Sequence, residues 1–323
     1  MKSIHNLSAA LMFGMATLPA AAETCDSNEG FTLTLHGGLL DSEEEIGPEH
    51  RVLFKRLLEN GREQLAKGGS ALDVVVDSIA AMEDSGILNA GKGSIVNTAG
   101  FTETDASLMD GRSGRSGAVA AMQRLKNPIK ASRLVMEETE HVLFAGTNGE
   151  RTLAGLGAEM VEDPASYFKQ YVSPPPPPAG EPSKSEHGTV GAVALDRCGN
   201  LAAGTSTGGW QGKLSGRVGD SPIIGAGTWA DRQYALSATG VGEYFIKRAA
   251  TRDIAMRAEY LGTPLKRAAD YVVKDLIGKQ DGAAGAIIAI SKDGEIVISS
   301  NRYGILYGWV TQVGDIVVGA QEP

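Results

Sequence analysis

A proline-rich segment divides this 323-residue chain into two parts. Residues 173–185 include five consecutive prolines, Pro174 to Pro178. Proline lacks the backbone N–H that a helix interior or a central strand requires, so the segment cannot lie inside either element. Its composition predicts an extended, solvated linker over residues 172–187, and by composition alone such linkers are most often plain spacers between structured regions.

Strand and helix patterns alternate on both sides of the linker. Before it, period-two apolar residues at 31–35 predict a strand that ends in the turn His36-Gly37-Gly38. After it, apolar stretches at 285–290 and 295–299 flank a turn that contains Lys292-Asp293-Gly294, which predicts a hairpin. The other expected elements are helices at 48–67, 71–82, 128 onward, 147–160 and 241–278, and short strands at 102–109, 117–122 and between 189 and 238. The alternation predicts an α/β protein.

The first 22 residues have the pattern of an export signal. Lys2 forms a short basic region, residues 7–18 are apolar, and Ala20-Ala21-Ala22 provides a cleavage site of small residues. A transmembrane anchor is the alternative, but it requires ~20 apolar residues and this stretch is shorter. We therefore expect a signal peptide over residues 1–22 and a mature protein that is periplasmic or secreted.

Charge and cysteine content narrow the functional classes. A net charge of −9 leaves no basic surface evident for nucleic acid or for an anionic membrane. The five histidines and two cysteines have no spacing that resembles a zinc site. In an oxidising compartment Cys25 and Cys198 can form one disulfide. Cys25 precedes the strand at 31–35 and Cys198 follows the strand that begins at 189, so both are expected at the same pole of the fold; two free or buried thiols are the alternative.

The linker leads directly into a candidate nucleophile. Thr189 follows Gly188 at the start of an apolar strand pattern. The Thr189 hydroxyl can attack the Gly188 carbonyl, and water can open the resulting ester, which frees the Thr189 amine. That amine can then act as the base for the hydroxyl beside it. We therefore predict self-cleavage between Gly188 and Thr189, and catalysis without histidine.

A second cluster suits recognition of an α-amino acid. Residues 205–209 read Thr-Ser-Thr-Gly-Gly, and Arg217 and Asp220 stand in the glycine-framed turn at 216–222. Arg217 can bind a carboxylate bidentately and Asp220 can bind an ammonium group. The alternative is a surface ion pair, which would be favoured if the turn stood alone.

A third motif, residues 238–243, places the Thr239 hydroxyl and the Gly240 amide at a strand-to-helix junction. Developing negative charge is well accommodated at such a junction. A glycine-hinged turn without a site is an equally good interpretation of this motif taken alone.

In these motifs the sequence resembles the plant-type asparaginase and isoaspartyl peptidase family of N-terminal-nucleophile hydrolases. The specific matches, in the family's order and spacing, are residues 187–191, 205–209 and 216–222. Weaker matches at 36–38, 88–91, 104–111 and 239–242 extend the resemblance over nearly all of residues 31–320.

The resemblance implies a four-layer αββα sandwich and self-cleavage before Thr189. The products would be an α chain of residues 23–188 and a β chain of residues 189–323, two copies of each forming the assembly. Thr189 would be the nucleophile, supported by the Thr207 hydroxyl, and Asn89 would lie close to the Thr189 amine.

The remaining matching positions are implied to recognise substrate. Arg217 and Asp220 would bind the α-carboxylate and α-amine of the aspartyl group, with the Gly242 carbonyl assisting. Thr239 and Gly240 would form the oxyanion hole. The resemblance implies no cofactor for catalysis. It does imply a structural Na⁺ held by backbone carbonyls, and the matching positions are Met82, Glu83, Ser85, Leu88, Ala90 and Lys92.

Two departures from the family pattern leave the leaving-group preference open. Leu39-Leu40 follows the His-Gly-Gly motif where the family usually has Ala-Gly, and Trp210-Gln211 is bulkier than the family suggests. The loop near the site is therefore expected to have a different shape, while the chemistry is expected to be the same.

The sequence thus predicts an exported amidohydrolase that releases L-aspartate from β-aspartyl peptides and also hydrolyses L-asparagine. A glycosylasparaginase is one alternative, but the nucleophile context associated with those enzymes is His-Asp-Thr, where this chain has His187-Gly188-Thr189. A non-enzymatic periplasmic amino-acid-binding protein is the other. A binding protein would also have a signal peptide and a ligand-binding turn with Arg217 and Asp220. However, it would remain a single uncut chain and would catalyse no reaction.

Overall fold

The computed structural model describes residues 30–40, 46–168 and 188–320. The predicted signal peptide, Cys25 and the predicted linker at 172–187 lie outside the described residues. The described part is a mixed α/β fold with two sheets.

The strands are β1 Thr32–Leu40, β2 Thr104–Asp110, β3 Ser116–Met122, β4 Leu143–Ala145, β5 Val190–Leu195, β6 Leu201–Thr207, β7 Thr228–Ala230, β8 Tyr234–Gly240, β9 Gly285–Ser291, β10 Ile296–Ser300, β11 Gly304–Thr311 and β12 Val317–Gly319. The helices are α1 Pro48–Ala66, α2 Ala71–Ser85, α3 Pro128–Glu138, α4 Gly146–Gly155, α5 Pro164–Tyr167, α6 Gly242–Arg248, α7 Ala250–Leu261 and α8 Leu265–Asp270. A 3₁₀ turn covers Gly91–Gly93, and α8 continues as π-helix over Tyr271–Ile277.

Local signals explain where the helices begin and end. Pro48 occupies the first turn of α1, where a missing N–H costs nothing. Ser70 caps α2, because its hydroxyl accepts a hydrogen bond from Asp73 N at 3.1 Å. Gly86 ends α2 with φ of 68°, a left-handed conformation that glycine adopts easily.

The larger sheet has the strand order β12-β11-β1-β5-β6-β2-β3-β4, and the smaller has β10-β9-β8-β7. Strands β5 and β6 are central neighbours in the larger sheet and pair antiparallel, with Val190 opposite Ser206. Only β3 and β4 pair in parallel among the described strands.

Alternate side chains of the central strands enter different apolar clusters. On β5, Val190, Ala192 and Ala194 pack in the cluster that includes α1 and α2, whereas Val193 and Leu195 pack between the two sheets. On β8, Leu236 and Ala238 pack with α6, α7 and α8, whereas Ala235 faces the larger sheet. This period of two directs every second residue of β5 and β8 into the space between the sheets.

The predicted turn at residues 36–38 is wrong. Strand β1 continues to Leu40, with a bulge between His36 and Gly38 that lets pairing with β11 resume. Gly38 has φ of 110°, which a residue with a side chain rarely adopts. None of the helices in the described residues combines the length and apolarity that crossing a membrane requires.

Candidate active site

Two threonine hydroxyls meet where β5 begins and β6 ends. Thr189 directly precedes β5, and Thr207 is the last residue of β6. Thr189 Oγ1 donates to Thr207 Oγ1 at 2.9 Å, and Thr207 Oγ1 also accepts a hydrogen bond from Gly209 N at 2.9 Å. Both threonines are buried. The structure therefore brings together the candidate nucleophile and the hydroxyl expected to support it.

The backbone before Thr189 is packed against β1. A β-carbon placed on Gly38 would lie 2.1 Å from Gly188 Cα, and one on Gly188 would lie 2.2 Å from Gly38 Cα. No side chain fits at either position without moving backbone. The bulge of β1 therefore positions the Gly188–Thr189 peptide bond.

A chain of buried polar groups joins the two sheets beside β5. His36 Nε2 lies 2.9 Å from Ser237 Oγ, which lies 2.7 Å from Thr205 Oγ1. Thr228 Oγ1 donates to Thr205 Oγ1 at 2.6 Å, and Ser107 Oγ donates to Thr228 Oγ1 at 2.8 Å. Burial lowers the pKa of His36 to about 3, so its ring is neutral at physiological pH. The sequence motifs gave no indication of this network.

Asn89 holds the turn that follows Thr207. Its Nδ2 donates to Gly209 O at 2.6 Å, and its backbone carbonyl accepts from Gly208 N at 3.1 Å. Its Oδ1 accepts from Ile95 N at 3.2 Å. Asn89 therefore stabilises the turn whose Gly209 N–H donates to Thr207.

Arg217 is paired with a residue that the motif spacing did not suggest. Its Nε donates to Glu243 Oε1 at 3.0 Å and its Nη2 to Glu243 Oε2 at 2.9 Å. The guanidinium carbon also lies 5.4 Å from the centre of the Trp210 ring. Glu243 is the last residue of the motif at 238–243, but 26 positions separate it from Arg217, so only the fold shows the pair.

Asp220 is buried rather than part of a surface ion pair. Burial raises its pKa to about 7, while the positive charge of Arg217 opposes this shift and the charges of Glu243 and Asp105 add to it. Asp220 Oδ2 has no hydrogen-bond partner among the described residues. A buried carboxyl in this state is stabilised in its charged form when a cation, such as an ammonium group, binds beside it.

Gly242 brings the start of α6 against this pair. A β-carbon placed on Gly242 would lie 2.6 Å from Asp220 Oδ1 and 3.2 Å from Arg217 Nη2. A larger residue would collide with both side chains. The sequence-predicted residues Arg217, Asp220 and Gly242 are therefore neighbours in space.

The loop that carries Arg217 is fixed by a buried polar cluster. The Glu103 carboxylate accepts from Gly216 N at 3.1 and 3.0 Å and from Asn97 Nδ2 at 2.8 Å. Lys213 is fully buried, and its Nζ donates to Glu103 O at 2.6 Å. The sequence motifs do not indicate that Glu103 and Asn97 hold this loop, because both lie far along the chain from Arg217.

Thr239 lies on the face of β8 that looks toward β5. A β-carbon placed on Gly191 would lie 2.0 Å from Ser237 Oγ, so these two strands contact here. Thr239 follows Ser237 by two positions and shares its face. Gly240 has φ of 140°, and a β-carbon there would lie 2.3 Å from Ala284 O. The strand-to-helix junction expected at this motif is present, since α6 begins at Gly242.

The segment with the candidate Na⁺ ligands covers the last turn of α2 and the turn that follows it. Ser85 Oγ donates to Met82 O at 2.7 Å, and Ala90 N donates to Leu88 O at 2.8 Å. A β-carbon on Gly91 would lie 2.9 Å from Glu83 O.

Three of the candidate carbonyl oxygens, those of Met82, Leu88 and Ala90, each accept a local hydrogen bond. In the described residues no group of three or more His, Cys, Asp or Glu side chains could hold a metal ion. Backbone carbonyl oxygens are the kind of ligand that a hard cation such as Na⁺ prefers. The carbonyls that would hold it are those of Met82, Glu83, Ser85, Leu88, Ala90 and Lys92.

Sequence similarity relates this chain to known proteins of one family. The sequence profile of the asparaginase family matches residues 29–319. The chain is 37% identical to an isoaspartyl peptidase of Escherichia coli strain K12, over 86% of this chain and 92% of that protein. It is 35% identical to a probable isoaspartyl peptidase/L-asparaginase 2 of Arabidopsis thaliana, over 91% and 99%. It is 38% identical to a plant-type L-asparaginase of Pyrobaculum calidifontis, over 86% and 96%.

The mixed α/β fold contains two hydrogen-bonded, buried threonine hydroxyls and a buried aspartate, and together with these matches it defines a hydrolase. The chain belongs to the asparaginase family that contains isoaspartyl peptidases and plant-type L-asparaginases.

Proposed function

We propose that this protein is a threonine amidohydrolase that releases L-aspartate from β-aspartyl peptides and also hydrolyses L-asparagine. The observation that carries the proposal is the 2.9 Å hydrogen bond from Thr189 Oγ1 to Thr207 Oγ1. Thr189 directly follows Gly188, at the bond that we propose is cleaved. The names of the relatives support this activity. Those names do not favour a glycosylasparaginase or a binding protein.

The first step is self-cleavage. The Thr189 hydroxyl oxygen bonds to the Gly188 carbonyl carbon, the peptide C–N bond breaks, and the nitrogen takes up the proton. Water then hydrolyses the ester, which leaves a carboxylate on Gly188 and a free amine on Thr189. The close packing of Gly38 on Gly188 supports this step, because it holds the reacting bond in place.

Substrate hydrolysis repeats the same chemistry. The Thr189 amine takes the hydroxyl proton while the oxygen attacks the β-carbonyl carbon of the aspartyl group. Thr239 Oγ1 and Gly240 N stabilise the negative oxygen that develops. The leaving amine departs with a proton, and water then cleaves the aspartyl ester to release L-aspartate and restore Thr189.

Recognition depends on opposite charges placed next to each other. Arg217 binds the α-carboxylate, and Asp220 binds the α-ammonium with the Gly242 carbonyl. The buried, unpartnered Oδ2 of Asp220 supports this role, since an ammonium group would satisfy it. The required substrate is therefore a small molecule or dipeptide with a free α-amino-acid group.

We extend the proposal to the architecture and the mature form. Apolar clusters between helices and sheet, between the two sheets, and between the second sheet and helices support a four-layer αββα sandwich of the N-terminal-nucleophile type. The mature protein is an (αβ)₂ assembly of chains 23–188 and 189–323, exported after removal of residues 1–22. A Na⁺ ion at residues 82–92 would supply a fixed positive charge that stiffens the turn containing Asn89.

Intact-mass analysis under reducing, denaturing conditions tests the proposal. The wild-type protein should give an α chain that ends at Gly188 and a β chain that begins with Thr189, and it should release aspartate from a β-aspartyl dipeptide. Thr189→Ala should remain uncut and inactive. Thr189→Ser should be cut and react slowly, because the hydroxyl remains while the methyl that restricts its rotamer is lost.

Thr34→Ala provides the control, because Thr34 is a buried threonine whose hydroxyl has no partner among the described residues. It should be cut and active. An active wild-type enzyme that stays a single chain would refute the self-cleavage mechanism. An uncut, inactive wild type would favour the binding protein.

A further inference from the structure

We infer that Glu243 is a positioning residue for substrate recognition: it holds one edge of the Arg217 guanidinium so that the other edge faces the substrate α-carboxylate. The inference rests on the proposed function. It assigns a role to a carboxylate that the reaction itself does not use.

The hydrogen bonds fix which edge of the guanidinium is occupied. A guanidinium carries five N–H groups in one plane, arranged along two edges that can each bind a carboxylate. Glu243 takes the edge formed by Nε and Nη2, at 3.0 and 2.9 Å. Within the described residues the side-chain hydrogen bonds of Arg217 go to Glu243, so the edge formed by Nη1 and Nη2 remains for a second carboxylate.

Two glycines flank that second edge. A β-carbon on Gly219 would lie 2.8 Å from Arg217 Nη1, and one on Gly242 would lie 3.2 Å from Arg217 Nη2. The Gly242 position would also lie 2.6 Å from Asp220 Oδ1. The free edge of Arg217 is therefore bordered by bare backbone and lies beside the carboxyl that takes the ammonium group, as a single α-amino acid requires.

The remaining freedom of the guanidinium is restricted by Trp210, whose ring centre lies 5.4 Å from the guanidinium carbon. Trp210 limits movement out of the plane, and Glu243 limits rotation within it. The pair is partly buried, because the Arg217 side chain is only 15% exposed while that of Glu243 is 40% exposed.

The ionisation of Glu243 agrees with this role. Burial alone would raise its pKa, but the hydrogen bonds and charge of Arg217 outweigh burial and leave the pKa below its ordinary value. Glu243 is therefore a carboxylate at neutral pH. A charged partner orients Arg217 more firmly than a neutral one would.

A double-mutant cycle tests the inference, with kcat and KM measured for a β-aspartyl dipeptide. Glu243→Ala should raise KM by roughly tenfold or more with a smaller change in kcat, because the α-carboxylate loses a well-oriented charge-assisted contact. In an Arg217→Ala background, the same substitution should change KM less than twofold. Glu243→Gln should lie between the wild type and Glu243→Ala, because it keeps one acceptor.

The matched control is Glu137→Ala, which removes a carboxylate from Arg133 on α3, where Arg133 Nε lies 2.8 Å from Glu137 Oε1. It should leave KM unchanged. Cleavage before Thr189 and the melting temperature report folding of each variant, and Glu243→Gln substitutes in the cycle if Glu243→Ala does not fold.

The outcomes separate the inference from the proposed function. A wild-type protein that releases no aspartate would refute the proposed function. An active wild type with the same KM in Glu243→Ala would refute only the positioning role. If Glu243→Ala raised KM equally in the wild-type and the Arg217→Ala backgrounds, the positioning role would also be refuted, because Glu243 would then act independently of the Arg217 guanidinium.

Discussion

Gly38 and Gly188 pack backbone against backbone, with only 2.1 Å between a β-carbon placed on Gly38 and Gly188 Cα. The two residues come from the bulge of β1 and from the peptide that precedes β5. This contact positions the bond that we propose is cleaved.

Gly38→Ala should therefore slow cleavage before Thr189 and lower the melting temperature. The strain at φ of 110° costs about 1–3 kcal/mol, and the collision with Gly188 adds to it. Gly114→Ala is the matched control, because Gly114 has φ of 72° but open space around it. Intact mass over time and thermal unfolding give the measurement; equal effects of both variants would show that the contact with Gly188 has no special role.

Thr207→Val should remove most of the activity while keeping the shape of the side chain. Thr189 Oγ1 loses its acceptor and Gly209 N loses its partner. We expect kcat to fall by about 10²-fold or more, as for loss of a group that assists proton transfer. Thr34→Val is the control, because that buried hydroxyl has no partner among the described residues. Full activity in Thr207→Val would mean that Thr207 does not support the nucleophile.

Arg217→Ala should weaken binding of the substrate carboxylate by about 2 kcal/mol or more, since a partly desolvated charge-assisted contact is lost. Arg217→Lys should also weaken substrate binding. The lysine ammonium is a compact charge and cannot bind Glu243 and the substrate carboxylate along two planar edges, as the guanidinium does. Arg133→Ala on α3 serves as the control. Steady-state kinetics on β-aspartyl dipeptides make the comparison, and unchanged turnover in correctly processed Arg217→Ala would contradict the assignment.

Inhibition by L-aspartate should strengthen as pH rises through about 7. The pKa of Asp220 is about 7 instead of 3.8, chiefly because of burial, so below that pH the carboxyl is protonated and cannot pair with an ammonium group. Arg217 lowers this pKa, whereas Glu243 and Asp105 raise it. Glu243→Gln should therefore move the transition to lower pH, and Asp220→Asn should abolish it. Inhibition constants measured across pH 5–9 would show a flat profile in the wild type if Asp220 were not the ammonium partner.

The raised pKa of Asp220 also makes the free energy of unfolding depend on pH. The folded protein keeps a proton on Asp220 that the unfolded chain releases above pH 3.8, so Asp220 reduces the free energy of unfolding as pH rises toward about 7. Bound aspartate should offset this loss by stabilising the charged carboxylate. Thermal unfolding with and without aspartate at several pH values measures the effect.

Cys198 should connect the two products of self-cleavage through a disulfide with Cys25. Cys198 is disulfide-bonded, and the only other cysteine, Cys25, lies outside the described residues. The turn at 196–200 is at the far end of β5 from Thr189, and Leu195 pairs with Thr32 near the start of β1. The α and β chains should therefore migrate together without reductant and separately with it.

Cys198→Ser is the control for that experiment, because its chains should separate under both conditions. Reductant should also lower the melting temperature of the wild type and leave that of Cys198→Ser unchanged. Alkylation of both thiols in the exported protein would rule out the bridge.

Much of the secondary structure follows from local chemistry. Pro48, Ser70 and Gly86 mark helix ends through their own backbone preferences, and the structure places α1 and α2 accordingly. The prediction failed at His36-Gly37-Gly38, because glycines permit a bulge as readily as a turn. Which one forms depends on whether β11 is available to pair with β1, and that contact joins residues far apart in the sequence.

The sequence by itself determined the family, through motifs at residues 187–191, 205–209 and 216–222 whose spacing reflects local backbone needs. It also indicated that Arg217 and Asp220 belong together, because both lie in one short turn. Only the tertiary structure decided their environment: Asp220 became buried with a raised pKa, and Arg217 was paired with Glu243. Burial and pairing depend on which strands and helices pack together, and residues 26 positions apart can be neighbours only after the chain has folded.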